Sequence, residues 1–181
     1  MSRLKYYLEW FFYFIIFSSV AIVQVSFISS LSPVYLAINL PLSFLLFSLL
    51  VFNREKTLGF AVLVGFWLDI LSFNFFGLNI FVFLLTVIIL DLLLNNWLTN
   101  RSLYSFLVLS VLGVLIYNIL LYFLLAVSQS SREGFNFFLF QSNFWSQLGW
   151  QIIWGLGFML LFFNLANSLS RRLKPFFLEK K

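Results

Sequence analysis

Six long apolar stretches, each broken off by a short polar or charged segment, fill the chain from Leu8 to Leu169. The first, Leu8 to Phe27, is followed by Ser29-Ser30 and Ser32-Pro33. The second runs from Ala37 to Phe52 and stops at Asn53-Arg54-Glu55-Lys56, with Pro41 in its first turn, where the missing N–H costs little. The third, Leu58 to Leu71, and the fourth, Leu78 to Leu94, are joined by the uncharged link Ser72-Phe73-Asn74-Phe75-Phe76-Gly77, short enough to predict an antiparallel hairpin. Asn95-Asn96, Asn100 and Arg101 precede the fifth run, Leu103 to Val127. The widest connection, Ser128 to Asn143, leads to the sixth run, Phe144 to Leu169. A spanning helix needs about 20 predominantly apolar residues. The pattern therefore predicts an all-α integral membrane protein, one domain of 181 residues with six transmembrane helices at about 8–27, 37–52, 58–71, 78–94, 103–127 and 144–169.

Composition excludes the soluble alternatives. The chain is 62% apolar and 9% charged, against roughly 45–50% and about 25% in soluble domains. So few charges could not cover a water-facing surface, which removes the globular-soluble, disordered and nucleic-acid-binding classes. Arg3 and Lys5 before the first run resemble the start of a signal peptide. An h-region of that kind spans only about 7–15 residues, however, and Ser29-Ser30 is a poor cleavage site; the run reads as a retained helix. No internal repeat or Pro-rich linker is evident, and a compact bundle is the simplest architecture.

The few charges predict topology. With the N-terminus inside, Arg3, Lys5, Arg54, Lys56, Arg101, Arg171, Arg172, Lys174, Lys180 and Lys181 fall on the cytoplasmic side, and only Arg132 outside. Such sorting follows the positive-inside rule for six helices with both termini in the cytoplasm of a cell-membrane protein.

Candidate chemistry is sparse. No Cys or His occurs, so thiolate chemistry, His-based metal sites and imidazole triads are absent, and neither catalytic residue, metal nor cofactor is expected. Asp69 is the most informative position, because an ionisable group inside an apolar run is costly and faces the bundle or a polar cavity. It lies roughly 16 Å along the third run, on one face with Gly65 and Ser72 at i, i+4, i+7 spacing. Two roles fit: a proton or ligand site, or a clasp whose carboxylate accepts backbone N–H groups around Gly77 to Asn79. Asp91 is expected at the cytoplasmic interface, solvated or paired with Arg101. A depth separation of about 10 Å between the two aspartates argues against a shared-proton dyad of the intramembrane protease kind.

The remaining polar and small residues point to helix contacts. Asn118, Gln147, Gln151 and Asn164 are expected to hydrogen-bond between helices. Gly149, Gly155 and Gly157 give the sixth run a flank for close approach, either within the bundle or to a partner helix. The 27 Phe are most simply lipid-facing filler in a chain with few Ala. The Phe135-Asn136-Phe137-Phe138-Leu139-Phe140 loop fits either membrane anchoring or a docking surface.

The stretch Gly65-Phe-Trp-Leu-Asp69-Ile-Leu-Ser72-Phe-Asn-Phe-Phe-Gly77-Leu-Asn79 resembles the rod shape-determining protein MreD family, with a G-x3-D-x2-S-x4-G pattern that closes one helix and opens the next. The Pro-led second helix, the short basic turn followed by Gly59, the length and the basic tail agree. Phe73-Asn74-Phe75-Phe76 departs from the pattern, in which small or polar residues are more usual. The resemblance implies a non-catalytic membrane scaffold of the cell-elongation complex, acting in cell shape and peptidoglycan synthesis. It implies a bitopic MreC-like partner and, through it, RodA, its penicillin-binding partner and MreB. It also implies a six-helix bundle similar to the S-components of energy-coupling-factor transporters. Gly65, Asp69, Ser72, Gly77 and Asn79 would then form a structural motif, and Gly149, Gln151, Gly155, Gly157 with Phe135, Phe137, Phe138 and Phe140 would receive a partner. The alternative is a small-molecule-binding transporter subunit of the S-component type, which needs convergent polar groups around a cavity. Asp69, Asn74, Asn79, Asn118 and Gln147 could be arranged so.

Overall fold

The computed structural model describes residues 2–52, 54–72, 75–96, 103–129 and 142–172. Every regular element among them is helical: α1 (Ser2–Ser26), a 3-10 turn (Ile28–Ser30), the one-turn α2 (Pro33–Leu36), α3 (Leu40–Val51), α4 (Arg54–Leu71), α5 (Leu78–Asn96), α6 (Leu103–Gln129) and α7 (Ser142–Arg172). Four segments are long and apolar enough to cross a membrane: Val34–Val51, Leu78–Asn96, Tyr104–Val127 and Phe144–Leu165. α1 contributes a shorter apolar stretch, Trp10–Ser26. α4 carries Arg54, Glu55, Lys56 and Asp69 along its 18 residues. Length and composition thus mark an all-helical membrane protein.

Two local features differ from the apolar pattern. The second run, expected from Ala37, becomes helical only at Leu40, and the one-turn α2 precedes it, with residues 37–39 between the two helices. Proline causes the division at both ends: Pro33 opens α2 and Pro41 lies in the first turn of α3. In one continuous helix the Pro41 ring would collide with the carbonyl of Ala37 and leave it unbonded. Asn39 caps the new start, its side-chain oxygen accepting the Leu42 N–H at 3.0 Å. Arg54-Glu55-Lys56, expected as a turn, instead forms the first turn of α4. Glu55 there suits the positive end of the helix dipole.

α3 is the centre of the bundle. It touches α1, α4, α5, α6 and α7, while α4–α5, α1–α4, α5–α6 and α6–α7 pack as neighbours around it; among the described residues α7 and α1 do not pack against each other to a comparable extent. Leu42, Leu45, Leu46, Leu49 and Leu50 of α3 are buried. Some of the Phe content also has an inward role that the filler explanation does not cover. Phe60 is fully buried, with Phe17 stacked at 4.3 Å and Tyr13 and Phe52 tilted or edge-on at 5.2 and 5.8 Å. This cluster joins α1, α3 and α4. Phe11, Phe12 and Phe123 remain exposed.

Candidate functional site

Two polar constellations lie at the end of the bundle where α4 closes and α5 opens. The first is built on Asp69, two residues before the end of α4. One carboxylate oxygen accepts the Gly77 and Ile80 backbone N–H groups at 3.0 and 3.3 Å; the other accepts the Asn79 N–H and the Asn79 side-chain amide, both at 2.9 Å. These N–H groups belong to the start of α5, where a helix has no internal acceptor for them and its dipole favours an anion. A carboxylate offers about four lone-pair sites, and four donors use them. Asp69 is buried, at 4% exposure, and every acceptor site it has is occupied by its own chain.

Gly65, one turn earlier on the same helix face, permits that contact. A Cβ at Gly65 would lie 2.6 Å from the Ile80 Cα and 2.8 Å from its nitrogen, so only glycine lets α5 come within reach of Asp69. Gly77 adopts φ +97°, a region in which side-chain-bearing residues are strained. Asn79 is buried. Ser72 sits at the mouth of the turn, and its buried hydroxyl has no hydrogen-bond partner among the described residues. Phe73 and Asn74 lie outside the described residues.

Asp91 serves a different contact. It pairs with Arg54 at 3.5 Å, joining the end of α5 to the start of α4; Arg101, the partner considered from sequence, lies outside the described residues. Twelve residues of α5 separate Asp91 from Asn79, about 18 Å of helix. The two aspartates therefore sit at opposite ends of the hairpin and cannot share a proton. Among the described residues no three acidic side chains converge on a point where a metal could bind.

The second constellation is a cavity of about 270 Å³ between the ends of α1 and α6, residues 36–39 and the start of α7. Its polar lining comes from Gln24, Asn39, Asn118, Tyr122, Gln147 and Gln151, with no charged side chain among the lining residues. Gln24 fixes the entry to α3, donating to the Ile38 carbonyl at 2.8 Å and accepting the Leu40 N–H at 3.1 Å. Asn118 donates to the Val114 carbonyl at 2.7 Å and to the Gln151 side-chain oxygen at 2.8 Å, tying α6 to α7. Gln24, Asn39 and Tyr122 are absent from the sequence-based set. Asn39 had a readable signal, an Asn shortly before a helix-opening Pro; Gln24 and Tyr122 are single polar groups in apolar runs, without a pattern to connect them.

α7 divides its small residues between two environments. Gly155 packs on α6, where a Cβ would stand 3.1 Å from the Ser110 hydroxyl, and Gln151 is engaged with Asn118. Gly149 and Gly157 have no neighbour within 4 Å of the Cβ position, and Trp145 and Ile153 on the same stretch are exposed. Asn164 is also exposed. Phe135, Phe137, Phe138 and Phe140 lie outside the described residues. No family model, curated protein or solved structure matches the chain.

Proposed function

We propose that the chain is a non-catalytic scaffold of the bacterial elongation machinery, similar to MreD, acting in cell-shape control. In this reading it crosses the cytoplasmic membrane six times with both termini inside. It docks an MreC-like bitopic protein and, through it, connects to RodA, the penicillin-binding partner and MreB. α1 and α4 complete the six spans, and Arg54, Lys56 and the Asp91 end of the hairpin lie on the cytoplasmic side.

The observation that carries this reading is the occupation of Asp69. A proton relay or ligand site needs an acceptor that the rest of the chain leaves open; this carboxylate is filled by four N–H donors of its own hairpin. Its role is then to hold the α4–α5 turn in shape. The stretch of α7 that carries Gly149, Ile153 and Gly157 supplies a face on which another span could lie, the two glycines allowing close backbone approach. The test is co-purification from membranes with the elongation partner. The scaffold reading expects a single-pass periplasmic protein to be retained, and lost when Gly149 and Gly157 are both changed to Leu. Retention unaffected by those changes would move docking elsewhere, and no such partner at all would overturn the scaffold.

The cavity favours a second reading, a small-molecule-binding transporter subunit of the energy-coupling-factor S-component type. Six polar side chains from four segments converge there, which is the arrangement such a subunit requires. A ligand co-purifying at near one-to-one stoichiometry, without a protein partner, would decide for it.

A further inference from the structure

We propose that the cavity between α1, α6 and α7 is a binding site for an uncharged, polyhydroxylated group of about monosaccharide size, held by Gln147, Gln151 and Tyr122. The proposal rests on the small-molecule reading only in requiring that a small group enters; it is equally compatible with a scaffold that carries such a ligand.

The volume, about 270 Å³, lies just below the roughly 300–1,000 Å³ of small-molecule pockets, which suits one sugar ring better than a larger cofactor. The chemistry of the walls narrows the class. Gln24 and Asn39 are committed to the α3 entry, Gln24 through both ends of its amide and Asn39 through its side-chain oxygen. Gln151 gives only its oxygen to Asn118. Among the described residues, the Gln151 amide nitrogen, the Gln147 amide and the Tyr122 hydroxyl have no protein partner. Two amides and a phenol together offer donors and acceptors side by side, which matches a hydroxyl group, itself a donor and an acceptor. A charged ligand has no counter-charge in the lining and would lose its hydration without compensation. Phe144, its ring near-perpendicular to that of Tyr122 with centroids 4.8 Å apart, adds an aromatic wall of the kind that suits the C–H groups of a sugar.

The hydroxylated group could belong to a free sugar or to a glycolipid headgroup, and the test separates them. The full chain is placed in phosphatidylcholine nanodiscs free of sugar-bearing detergent. Binding of methyl β-glucoside and N-acetylglucosamine is measured by equilibrium dialysis. In a parallel arm, monoglucosyl diacylglycerol is incorporated into the disc and its retention by the purified chain is measured. Glucuronate and glucosamine, which share the pyranose ring, are the charged controls. The proposal expects saturable binding in at least one neutral arm, weakened about tenfold by Gln147→Leu, which breaks no hydrogen bond among the described residues, and also by Gln151→Leu. Weak or absent binding of both charged controls is expected. Saturable, Gln147-dependent binding of a charged control in preference to the neutral sugars would overturn the ligand class while leaving a small-molecule site standing. Absence of saturable binding in every arm would overturn both, as would binding that Gln147→Leu leaves unchanged.

Discussion

Gly65 and Ile80 meet so closely that the hydrogen atoms of a glycine are all that fits between the two helix backbones. A Cβ at Gly65 would stand 2.6 Å from the Ile80 Cα, and the obstacle is main chain, which has no rotamer to change. Substitution must push α5 away from α4, and the same displacement lengthens the hydrogen bonds from Gly77, Asn79 and Ile80 to Asp69. Gly65→Ala is expected to destabilise the protein by at least the roughly 1–3 kcal/mol of ordinary overpacking. Gly149→Ala and Gly157→Ala, with open space around them, should be neutral or gain up to about 1 kcal/mol of helix propensity. Unfolding in a single detergent, compared across the three variants, checks the ordering.

Asp69→Asn is a harsher change than its small size suggests. Each carboxylate oxygen accepts two hydrogen bonds, so an amide, whichever way it turns, places an NH2 against two donors. Loss of charge-assisted bonds worth about 1.5–3 kcal/mol each is only partly relieved by relaxation. The expected result is a loss of at least about 2 kcal/mol and reduced membrane levels, with activity falling in parallel. Quantifying folded protein and cell-shape complementation together checks this: a folded, abundant Asn variant without function would make the charge itself functional.

Asp91→Asn should do far less. Arg54, its partner, is about half exposed, at 49%, and the pair is 3.5 Å apart. Partly solvated ion pairs contribute roughly 0–1 kcal/mol. The contrast between the two Asp→Asn variants in the same unfolding assay separates an ion pair with one half-exposed partner from a filled clasp.

The Asn118–Gln151 bond joins α6 to α7 inside the apolar zone. A double-mutant cycle with Asn118→Leu and Gln151→Leu should return a coupling near 0.6 kcal/mol, and no more than about 1.7. A coupling of zero would mean that α7 is held by its other contacts, Phe162 against Phe44 and the Trp154 indole N–H donated to the Val34 carbonyl at 3.3 Å among them.

The helices are readable in sequence because each apolar run is bounded by residues that end helices or attract water, and α5 starts at Leu78 where its run begins. The Asp69 contact is readable for a related reason: it is local, with eleven residues at most separating acceptor from donor, and a carboxylate before a glycine turn meets the bare N–H groups of the next helix. Contacts set by tertiary packing are not readable in this way. Arg54 reaches Asp91 across the hairpin because both helices keep a common register. Gln24, Asn39, Asn118, Tyr122 and Gln151 come together only when α1, α3, α6 and α7 have packed, and no spacing along the chain encodes their meeting. The inward Phe residues were hidden by abundance: nothing in the run around Phe60 distinguishes it from exposed Phe66 on the same helix.

The scaffold account is tested most directly by site-specific photocrosslinking in living cells. A crosslinking residue at Ile153, exposed between Gly149 and Gly157, is compared with one at Phe123 on α6, which is similarly exposed at 63% against 58%. The account predicts that Ile153 captures a single-pass periplasmic protein of the elongation complex and that Phe123 does not. Lipid alone at both positions, or the same partner captured equally from both, would contradict it.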